Sequence, residues 1–304
     1  STGWCLMVGN IELGTGGAFL PDCGIERVLA QGPDIVIAGQ GIPHGVARPV
    51  EGGYQIQGDW SYASGIYHAA FIHTGCVLMQ GDKPVINDAG VPEVLICHVP
   101  REQIERKENW DVIGLRGTGS YDYSITDLFV PKAMTHSIAI SEPQRGGNQY
   151  TVGLTGFTAW GHTSFALGVG RHALDEIATL ARNKENVFGP ISDGASFQER
   201  YARAEAMYRS VHAFCYSAWD DLSETLAGGG QASLEQIALI RLAMRYLHEV
   251  VSDVCTFAYK AGGGVSLRGG PLQRCYRDIH AATQHILLSD QIMQDCGKVL
   301  MGAA

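Results

Sequence analysis

Short apolar runs separated by turn residues dominate the first half of the chain. Four such runs are DIVIAG at 34–39, HAAFIHTGCVLM at 68–79, EVLICHVP at 93–100 and YSITDLFVP at 123–131. Glycine and proline interrupt the chain at intervals of about ten residues, a spacing typical of a β-sandwich or β-barrel. The pattern has no alternation of strands with helices and no GxGxxG motif after a strand, which argues against a Rossmann domain.

From about residue 158 the apolar positions recur every three or four residues, which predicts long helices. The first helix includes residues 165–180, and the second runs from Ser196 to a glycine triplet at 228–230. A third is expected from about 234 to 261 and a fourth from about 272 to 300. Four long helices joined by glycine-rich loops indicate an antiparallel four-helix bundle.

Two of these helices begin with the pattern of a capping box, a serine followed three residues later by glutamate or glutamine, at Ser196 and Ser233. Together the patterns predict an α+β protein in three parts. Residues 1–25 are a short helical segment, residues 26–150 a β-barrel or β-sandwich domain, and residues 151–304 the four-helix bundle.

Composition and charge limit the possible partners. Of 304 residues, 45% are hydrophobic and 17% are charged, as in ordinary globular proteins, and the net charge of −9 argues against nucleic-acid binding. No apolar run is long enough to span a bilayer, and no secretory signal is visible. The eight cysteines lack the spacing of zinc ligands or of a disulfide framework. We therefore expect free thiols, no bound metal and a cytoplasmic protein.

The stretch GDWSYASGI at 58–66 contains the most informative candidate residues of the first half. It ends a predicted strand with Trp60, two serines and a glycine, whereas a strand end in a plain turn more often carries asparagine, aspartate or proline. The residues alone leave two interpretations open. The stretch is either an ordinary turn behind a core tryptophan or the floor of a binding site.

Several stretches together resemble the acyl-CoA dehydrogenase superfamily, and more closely its two-component (group D) flavin-dependent monooxygenases, such as the 4-hydroxyphenylacetate and 3-HSA hydroxylase oxygenase components. The stretches are GGYQIQGDWSYASG at 52–65, WDVIGLRGTGSYDYSITDLFVP at 110–131, GGGVSLRGGPLQRCYRDIHAATQH at 262–285, and STGW at 1–4. The resemblance implies an acyl-CoA dehydrogenase-like fold. It also implies that residues 1–25 are the remnant of an N-terminal helical domain, most of which this chain lacks.

The superfamily hosts two chemistries, and the last helix favours one of them. Acyl-CoA dehydrogenases remove a proton from their substrate with a carboxylate, which in most branches follows the Arg-Asp pair of that helix. Here no carboxylate follows Arg277-Asp278 before Asp290, and His285 occupies about the expected position. An imidazole is suited to hydrogen bonding a peroxide or to taking a phenolic proton. An acyl-CoA dehydrogenase-like oxidoreductase with tightly bound FAD is the second hypothesis for the function.

The monooxygenase resemblance implies a reduced flavin that reacts with O2 to form a C4a-hydroperoxide. It assigns Ser64 to flavin N5, His285 to the peroxide and the substrate, and Trp60 to packing against the flavin ring. The backbone groups of Tyr62 and Ala63 are candidates for its polar edge. Structural roles are the alternatives for Trp60, Ser64 and His285. His280 is a weaker candidate, and His44, His68, His73, His98, His162 and His248 are interpreted as structural.

Binding of the cofactor tail is assigned to Arg182, which precedes Phe188-Gly189 and Gln198 in an arrangement like that of the family, although with a longer spacing. Gly263 and Gly264 are further candidates for contact with the flavin or its phosphate. A plain helix–helix turn is the alternative for this pair of glycines.

The substrate is expected to be a small organic molecule with an aromatic ring. Phenol-hydroxylating relatives often carry a histidine on the STGW helix, where this chain has Asn10 and Glu12. Asn10 is the substrate-binding candidate, and phenolic, polyketide-like, steroid-like, nitrogen or sulfur substrates all remain open. The resemblance further implies reduced FMN, with FAD as an alternative, a separate NAD(P)H-dependent reductase, and a homotetramer. A flavin-free assembly subunit is the third hypothesis.

Overall fold

The computed structural model describes residues 1–139, 142–186 and 189–303, and contacts between residues divide the chain into two compact units. The first unit comprises Ser1–Val112 and Arg116–Phe157, and the second comprises Ile113–Leu115 and Thr158–Ala304. The first unit therefore includes both the predicted helical segment at 1–25 and the predicted β domain.

Two helices open the first unit, α1 at Thr2–Phe19 and α2 at Asp22–Leu29. Leu20 and Pro21 separate them because both have extended backbone angles, and Pro21 serves as the N-cap of α2. Helix α1 is unusually rich in glycine and buries Trp4, Ile11 and Phe19. It packs against strand β1, defined below, so the first helix of the chain is held by the sheet.

Eight strands form one mixed sheet in the first unit. They are β1 Ile37–Val50, β2 Gly53–Ala63, β3 Phe71–Gln80, β4 Lys83–Pro84, β5 Val94–Pro100, β6 Glu105–Arg106, β7 Tyr121–Pro131 and β8 Thr135–Ser137. Their order is β6-β7-β2-β1-β3-β5-β8, with β4 paired to β3. Only β1 and β3 pair in parallel among these strands. The finer description as a barrel or sandwich stays a prediction.

The β1–β2 hairpin turns at Gly52, whose φ of +80° lies in the left-handed region that glycine adopts without strain. Strand β2 then runs alongside β7, and two register shifts interrupt this pairing, one between Ile56 and Gly58 and one between Trp60 and Ala63. These shifts interrupt simple alternation along β2. They turn Ile56, Trp60 and Ala63 into the core, where each is at most 1% exposed.

The second unit is helical and contains α3 Gly153–Asn183 from Thr158 onward, α4 Ala195–Ala227, α5 Leu234–Gly262, α6 Pro271–Ala282 and α7 Asp290–Leu300. A short pair of strands, β9 Glu185–Asn186 and β10 Gly189–Pro190, follows α3. The predicted apolar face of α4 is buried at Ala204, Tyr208, Val211, Cys215, Ala218 and Leu222. No helix in the described ranges is long and apolar enough to cross a membrane.

The predicted capping box at Ser233 is confirmed. The Ser233 hydroxyl accepts from Gln236 N–H at 3.1 Å, and the Gln236 side chain accepts from Ser233 N–H at 3.0 Å. The capping box predicted at Ser196 is wrong, because α4 begins one residue earlier with Gly194 as its N-cap and no side-chain cap.

The predicted fourth helix is wrong as a single element. The chain leaves the helix after Ala282, forms a 3-10 turn at Ile286–Leu288, and starts α7 at Asp290. The Thr283 hydroxyl donates to His280 O at 2.7 Å, and Ser289 takes the extended conformation of an N-cap. These local side-chain and backbone preferences interrupt a pattern of apolar positions that continues across the break.

Candidate active site

Ser64 follows the last residue of β2 and is held by a chain of side-chain hydrogen bonds within the first unit. Trp4 Nε1–H donates to Ser64 Oγ at 3.1 Å, Ser64 Oγ lies 2.8 Å from Ser120 Oγ, and Ser120 Oγ lies 2.6 Å from Thr118 Oγ1. Ser64 is partly exposed, whereas Ser120 and Thr118 are buried. The predicted serine therefore presents a hydroxyl whose position three other side chains fix.

The turn after Ser64 is fixed by the backbone as well. Gly65 has a φ of +79°, and its N–H donates to Thr118 O at 2.8 Å. A Cβ atom at Gly65 would meet no atom within 4 Å, so the backbone conformation, not crowding, favours glycine here. The stretch is therefore a turn that also holds a group of polar side chains in place, and its role as the floor of a binding site stays a prediction.

Trp60 is a core residue. Its side chain is 1% exposed, its ring stacks on Tyr123 at 5.3 Å between centroids, and its Nε1–H donates to Gly75 O at 2.9 Å. Packing of Trp60 against a flavin ring, as the resemblance implies, does not fit this burial. Ala63 is also fully buried, whereas Tyr62 is 41% exposed and its ring lies 4.9 Å from that of Trp110.

The residues around Ser64 fit a flavin ring. Trp4 donates to Ser64 Oγ, and the Ser64 proton can go to Ser120 Oγ, which leaves a second lone pair of Ser64 Oγ to accept from a bound group. The neighbouring Tyr62 presents an exposed aromatic side chain, and Gly65 has no side chain that would obstruct a bound ring. A partly exposed hydroxyl acceptor beside an open aromatic surface suits a planar heteroaromatic ring with an N–H group, such as N5–H of a reduced flavin.

His285 lies in the second unit, at the break between α6 and α7. Its Nδ1 accepts from Leu287 N–H at 3.3 Å, so the proton of the neutral ring is on Nε2. Burial lowers the pKa of His285 to about 4. The side chain is therefore a neutral hydrogen-bond donor through Nε2 across the physiological pH range.

Two histidines that the sequence left as structural lie close to His285. His162 on α3 has its ring centroid 4.5 Å from that of His285, and His248 on α5 lies 6.3 Å from His162. We name these three residues the helical histidine cluster. Burial lowers the pKa of His248 to about 4 and that of His162 well below its usual value, with smaller contributions from neighbouring histidines. His248 Nδ1–H donates to Met244 O at 2.8 Å.

His280 contacts other side chains than the helical histidine cluster does. Its Nε2 lies 3.1 Å from Thr256 Oγ1, and its ring packs 4.5 Å from that of Tyr276. Asp278, the aspartate of the predicted Arg-Asp pair, accepts from Leu115 N–H at 2.6 Å. Both residues thus have structural contacts, which supports the preference for His285 over His280.

The sequence analysis missed a second histidine cluster, which lies in the first unit and which Glu12 of α1 joins. Asn10 is exposed and donates its amide to Leu6 O at 2.7 Å, whereas Glu12 turns inward and places Oε2 2.5 Å from His73 Nδ1. The helix therefore directs Glu12, not the predicted Asn10, toward the sheet.

His73 on β3 is paired directly with His98 on β5, and their rings are 6.1 Å apart. His136 on β8 lies 5.5 Å from His98. We name Glu12, His73, His98 and His136 the sheet histidine cluster. Histidines inside the apolar runs FIHTG and ICHVP were the signal for it, but only the strand register brings them together. No group of three side chains in the described ranges has the geometry of a metal site.

The residues assigned to the cofactor tail have few contacts. Arg182 is exposed and donates to Thr179 Oγ1 at 3.1 Å, and Gln198 donates to Ser192 O at 3.0 Å. Gly263, with a φ of +55°, ends α5 and begins a 3-10 turn that includes Gly264. Phe188, which belongs to the same predicted arrangement, lies outside the described residues.

Comparisons with known proteins identify the family. Residues 160–290 match the family described as "Acyl-CoA dehydrogenase, C-terminal domain". Indole-3-acetate monooxygenase from Pseudomonas putida is 30% identical over 305 residues, which cover 99% of this chain and 76% of the relative. The FADH(2)-dependent resorcinol hydroxylase, oxygenase component, from Rhizobium sp. (strain MTP-10005) is 27% identical over 315 residues, covering 94% and 73%.

Among solved structures, 3-HSA hydroxylase from Rhodococcus sp. RHA1 shares the fold with a TM-score of 0.88 at 22% identity, covering all of this chain and 79% of the other. The predicted resemblance is confirmed by the relatives and by this fold. The chain belongs to the flavin-dependent monooxygenases with an acyl-CoA dehydrogenase-like fold, in the branch of the two-component oxygenases.

Proposed function

We propose that this monooxygenase receives reduced flavin from a separate NAD(P)H-dependent reductase and uses O2 to hydroxylate a small aromatic substrate. The observation that carries the proposal is the partly exposed Ser64 hydroxyl, fixed by Trp4 and Ser120 at the end of β2. The names of the relatives support an aromatic substrate, since they act on indole-3-acetate and on resorcinol. The name "oxygenase component" supports dependence on a reductase.

In the first unit, Ser64 would hold the reduced flavin ring by accepting a hydrogen bond from flavin N5–H. Ser64 can donate to Ser120, and Ser120 can donate to Thr118, so Ser64 Oγ keeps a lone pair for the ring. The exposed Tyr62 and the backbone of Ala63 are the candidates for the polar edge of the ring. When bound, the reduced flavin supplies the electrons that activate O2.

In the second unit, His285 would act as a neutral donor through Nε2 to an oxygen atom of the substrate. Ala159 on α3, Met244 on α5 and Leu288 in the α6–α7 break form a buried apolar cluster, and Leu288 follows His285 by three residues. Desolvation by the surrounding protein lowers the pKa of His285. A donor that does not ionise keeps the same role from mildly acidic to basic pH.

The finer features of the proposal follow the family. Reduced FMN and FADH2 are both candidates, and the name of the Rhizobium relative favours FADH2. We assign the cofactor tail to Arg182, Gly263 and Gly264, whose exposure leaves them accessible within their own unit. A homotetramer, a four-helix bundle and a cytoplasmic location stay predictions.

The proposal is tested by mixing the anaerobic protein, reduced flavin and an aromatic probe such as indole with oxygenated buffer. We expect hydroxylated product, with its yield per flavin oxidised about tenfold lower or worse in Ser64→Ala, the scale expected for losing one well-placed hydrogen bond. Ser61→Ala is the matched control, because Ser61 is exposed on the same strand. Product formation from acyl-CoA with FAD, and none from aromatics, would instead support the dehydrogenase alternative.

A further inference from the structure

The sheet histidine cluster contains buried polar atoms that lack an aligned hydrogen bond. Six atoms make no aligned hydrogen bond to any residue in the described ranges: Glu12 Oε2, both ring nitrogens of His73, both ring nitrogens of His98, and His136 Nε2. Buried polar atoms in folded proteins are nearly always hydrogen bonded. These atoms are therefore positions at which a bound molecule or water can donate or accept a hydrogen bond.

The contact between Glu12 and His73 is close but not aligned. The 2.5 Å between Oε2 and Nδ1 is the distance of an ion pair, yet the ring N–H and the carboxylate do not meet at the angle of a hydrogen bond. Glu12 is 13% exposed and His73 is 3% exposed, so the carboxylate is the member of the pair that a ligand reaches first.

Aromatic rings and small residues of the same unit border the cluster. The Phe19 ring lies 5.7 Å from that of His136 and 6.4 Å from that of Tyr150, which in turn lies 4.8 Å from Phe157. A Cβ atom at Gly16 would come within 3.0 Å of His98 Cε1. The polar cluster is thus bordered by side chains suited to an aromatic molecule.

Helix α1 connects this cluster with the proposed flavin contact. Glu12 follows Trp4 by eight residues, about 12 Å along a helix at a rise of about 1.5 Å per residue. Trp4 donates to Ser64, and Glu12 contacts His73. One helix therefore organises both polar sites of the first unit.

The charges of the sheet histidine cluster determine which polar group of a ligand can bind there. Burial, followed by the neighbouring histidines, lowers the pKa of His98 well below its usual value, and burial lowers that of His136 to about 4. These two rings add no positive charge at neutral pH, and the Glu12 carboxylate would repel the carboxylate of a ligand. A neutral N–H or O–H group, by contrast, would donate to the Glu12 carboxylate.

We propose that Glu12 and His73 bind the N–H or O–H group of the aromatic substrate, with Glu12 as the acceptor and His73 as the residue that positions it. This inference rests on the proposed function and names the group by which its substrate is recognised. The indole N–H and the phenol O–H are two sources of the same chemistry. The test therefore pairs each with its methylated analogue, which lacks the donor.

Calorimetric titration of the full chain with indole, 1-methylindole, phenol and anisole tests the inference, both without flavin and anaerobically with saturating reduced flavin. We expect wild-type protein to bind at least one donor at least about tenfold more tightly than its methylated analogue, the scale of a hydrogen bond to a charged group. Glu12→Gln and His73→Gln should reduce that ratio to within about twofold of one. Glu26→Gln, the same change at an exposed position of α2, should leave it unchanged.

A wild-type ratio near one for both pairs, or a ratio that survives in Glu12→Gln, would overturn the inference and leave water as the partner of the cluster. Absence of binding by indole and phenol under both conditions would overturn it as well. The proposed function fails differently, since it is rejected when no aromatic probe is hydroxylated. Turnover with equal affinity for methylated and unmethylated probes would reject the inference alone.

Discussion

Ser64 owes its position to residues far away in the sequence. Trp4 is 60 residues before it and Ser120 is 56 residues after it, and both bond to the same Oγ atom. The resemblance singled out Ser64, but neither partner is recognisable from spacing. The STGW stretch gave Trp4 no role of its own, and the structure makes Trp4 a positioning residue for Ser64.

Trp4→Phe isolates this contribution because it keeps an aromatic ring and removes the indole N–H. We expect the yield of hydroxylated product per flavin oxidised to fall about fivefold, the scale of one neutral hydrogen bond. The measurement is product against flavin reoxidation in a single turnover. Trp160→Phe, at a position that is 53% exposed, is the control and should match wild type. An unchanged yield in Trp4→Phe would show that Ser64 needs no support from α1.

His285 makes a prediction about protonation. Because burial lowers its pKa to about 4, the ring should remain neutral from pH 8 down to about pH 5 and gain its proton only below that. NMR titration of the imidazole signals, assigned by their loss in His285→Asn, measures this directly. The His280 signal, assigned in the same way with His280→Asn, provides a comparison from a half-buried ring on α6. A His285 midpoint near 6.5 would contradict the burial seen here.

At the scale of elements, the pattern of apolar runs predicted β2, β3, β5 and β7, the start of β1, and the long helices α3, α4 and α5. It could not predict the break after Ala282, because the apolar positions Ile279, Ala282, Leu288 and Ile292 continue on both sides of it. It also could not predict the parallel pairing of β1 with β3. Strand neighbours depend on tertiary packing and register, which a single sequence does not display.

The two predicted capping boxes provide a matched pair of substitutions. Ser233→Ala removes a side-chain cap from α5 and should lower the free energy of unfolding by about 1 kcal/mol. Ser196→Ala makes the same change at an exposed position inside the first turn of α4, where no cap is lost, and should have an effect near zero. Urea unfolding followed by far-ultraviolet circular dichroism measures both. Equal effects would mean that the side-chain bonds of the Ser233 box add nothing to stability.

At the scale of the whole molecule, each unit, as far as the structure describes it, contains a group of neighbouring histidines. The sequence analysis treated His73, His98, His162 and His248 as structural and gave no role to His136. The members of each group are separated by tens of residues, and they meet only because β3 pairs with β5 and because α3 and α5 both approach the α6–α7 break. The candidate site was therefore predictable at Ser64 and His285, where the resemblance supplied it. It was not predictable at Glu12 and His73, where pairing across the sheet decides the contact.

Both groups should make the protein sensitive to acid. Burial lowers the folded-state pKa of His136, His248 and His285 to about 4, whereas an unfolded histidine titrates near 6.5. Between these values the unfolded chain binds protons that the folded chain excludes. The free energy of unfolding should therefore decrease as the pH falls from about 6.5 to about 4, by at most about 1.4 kcal/mol per pH unit for each histidine.

Thermal unfolding at a series of pH values from 7.5 to about 4.5 measures this loss. His248→Asn removes one titrating ring while its amide can replace the Nδ1–H donor to Met244 O, so its melting temperature should decline less steeply with acid than that of wild type. His172→Asn changes a side chain that is 52% exposed, and its slope should equal that of wild type. The comparison of slopes separates the buried histidine from the carboxylates, which all three proteins share. If His248→Asn and wild type lose stability in parallel, then His248 already accepts a proton in the folded protein, and its burial is less complete than the structure indicates.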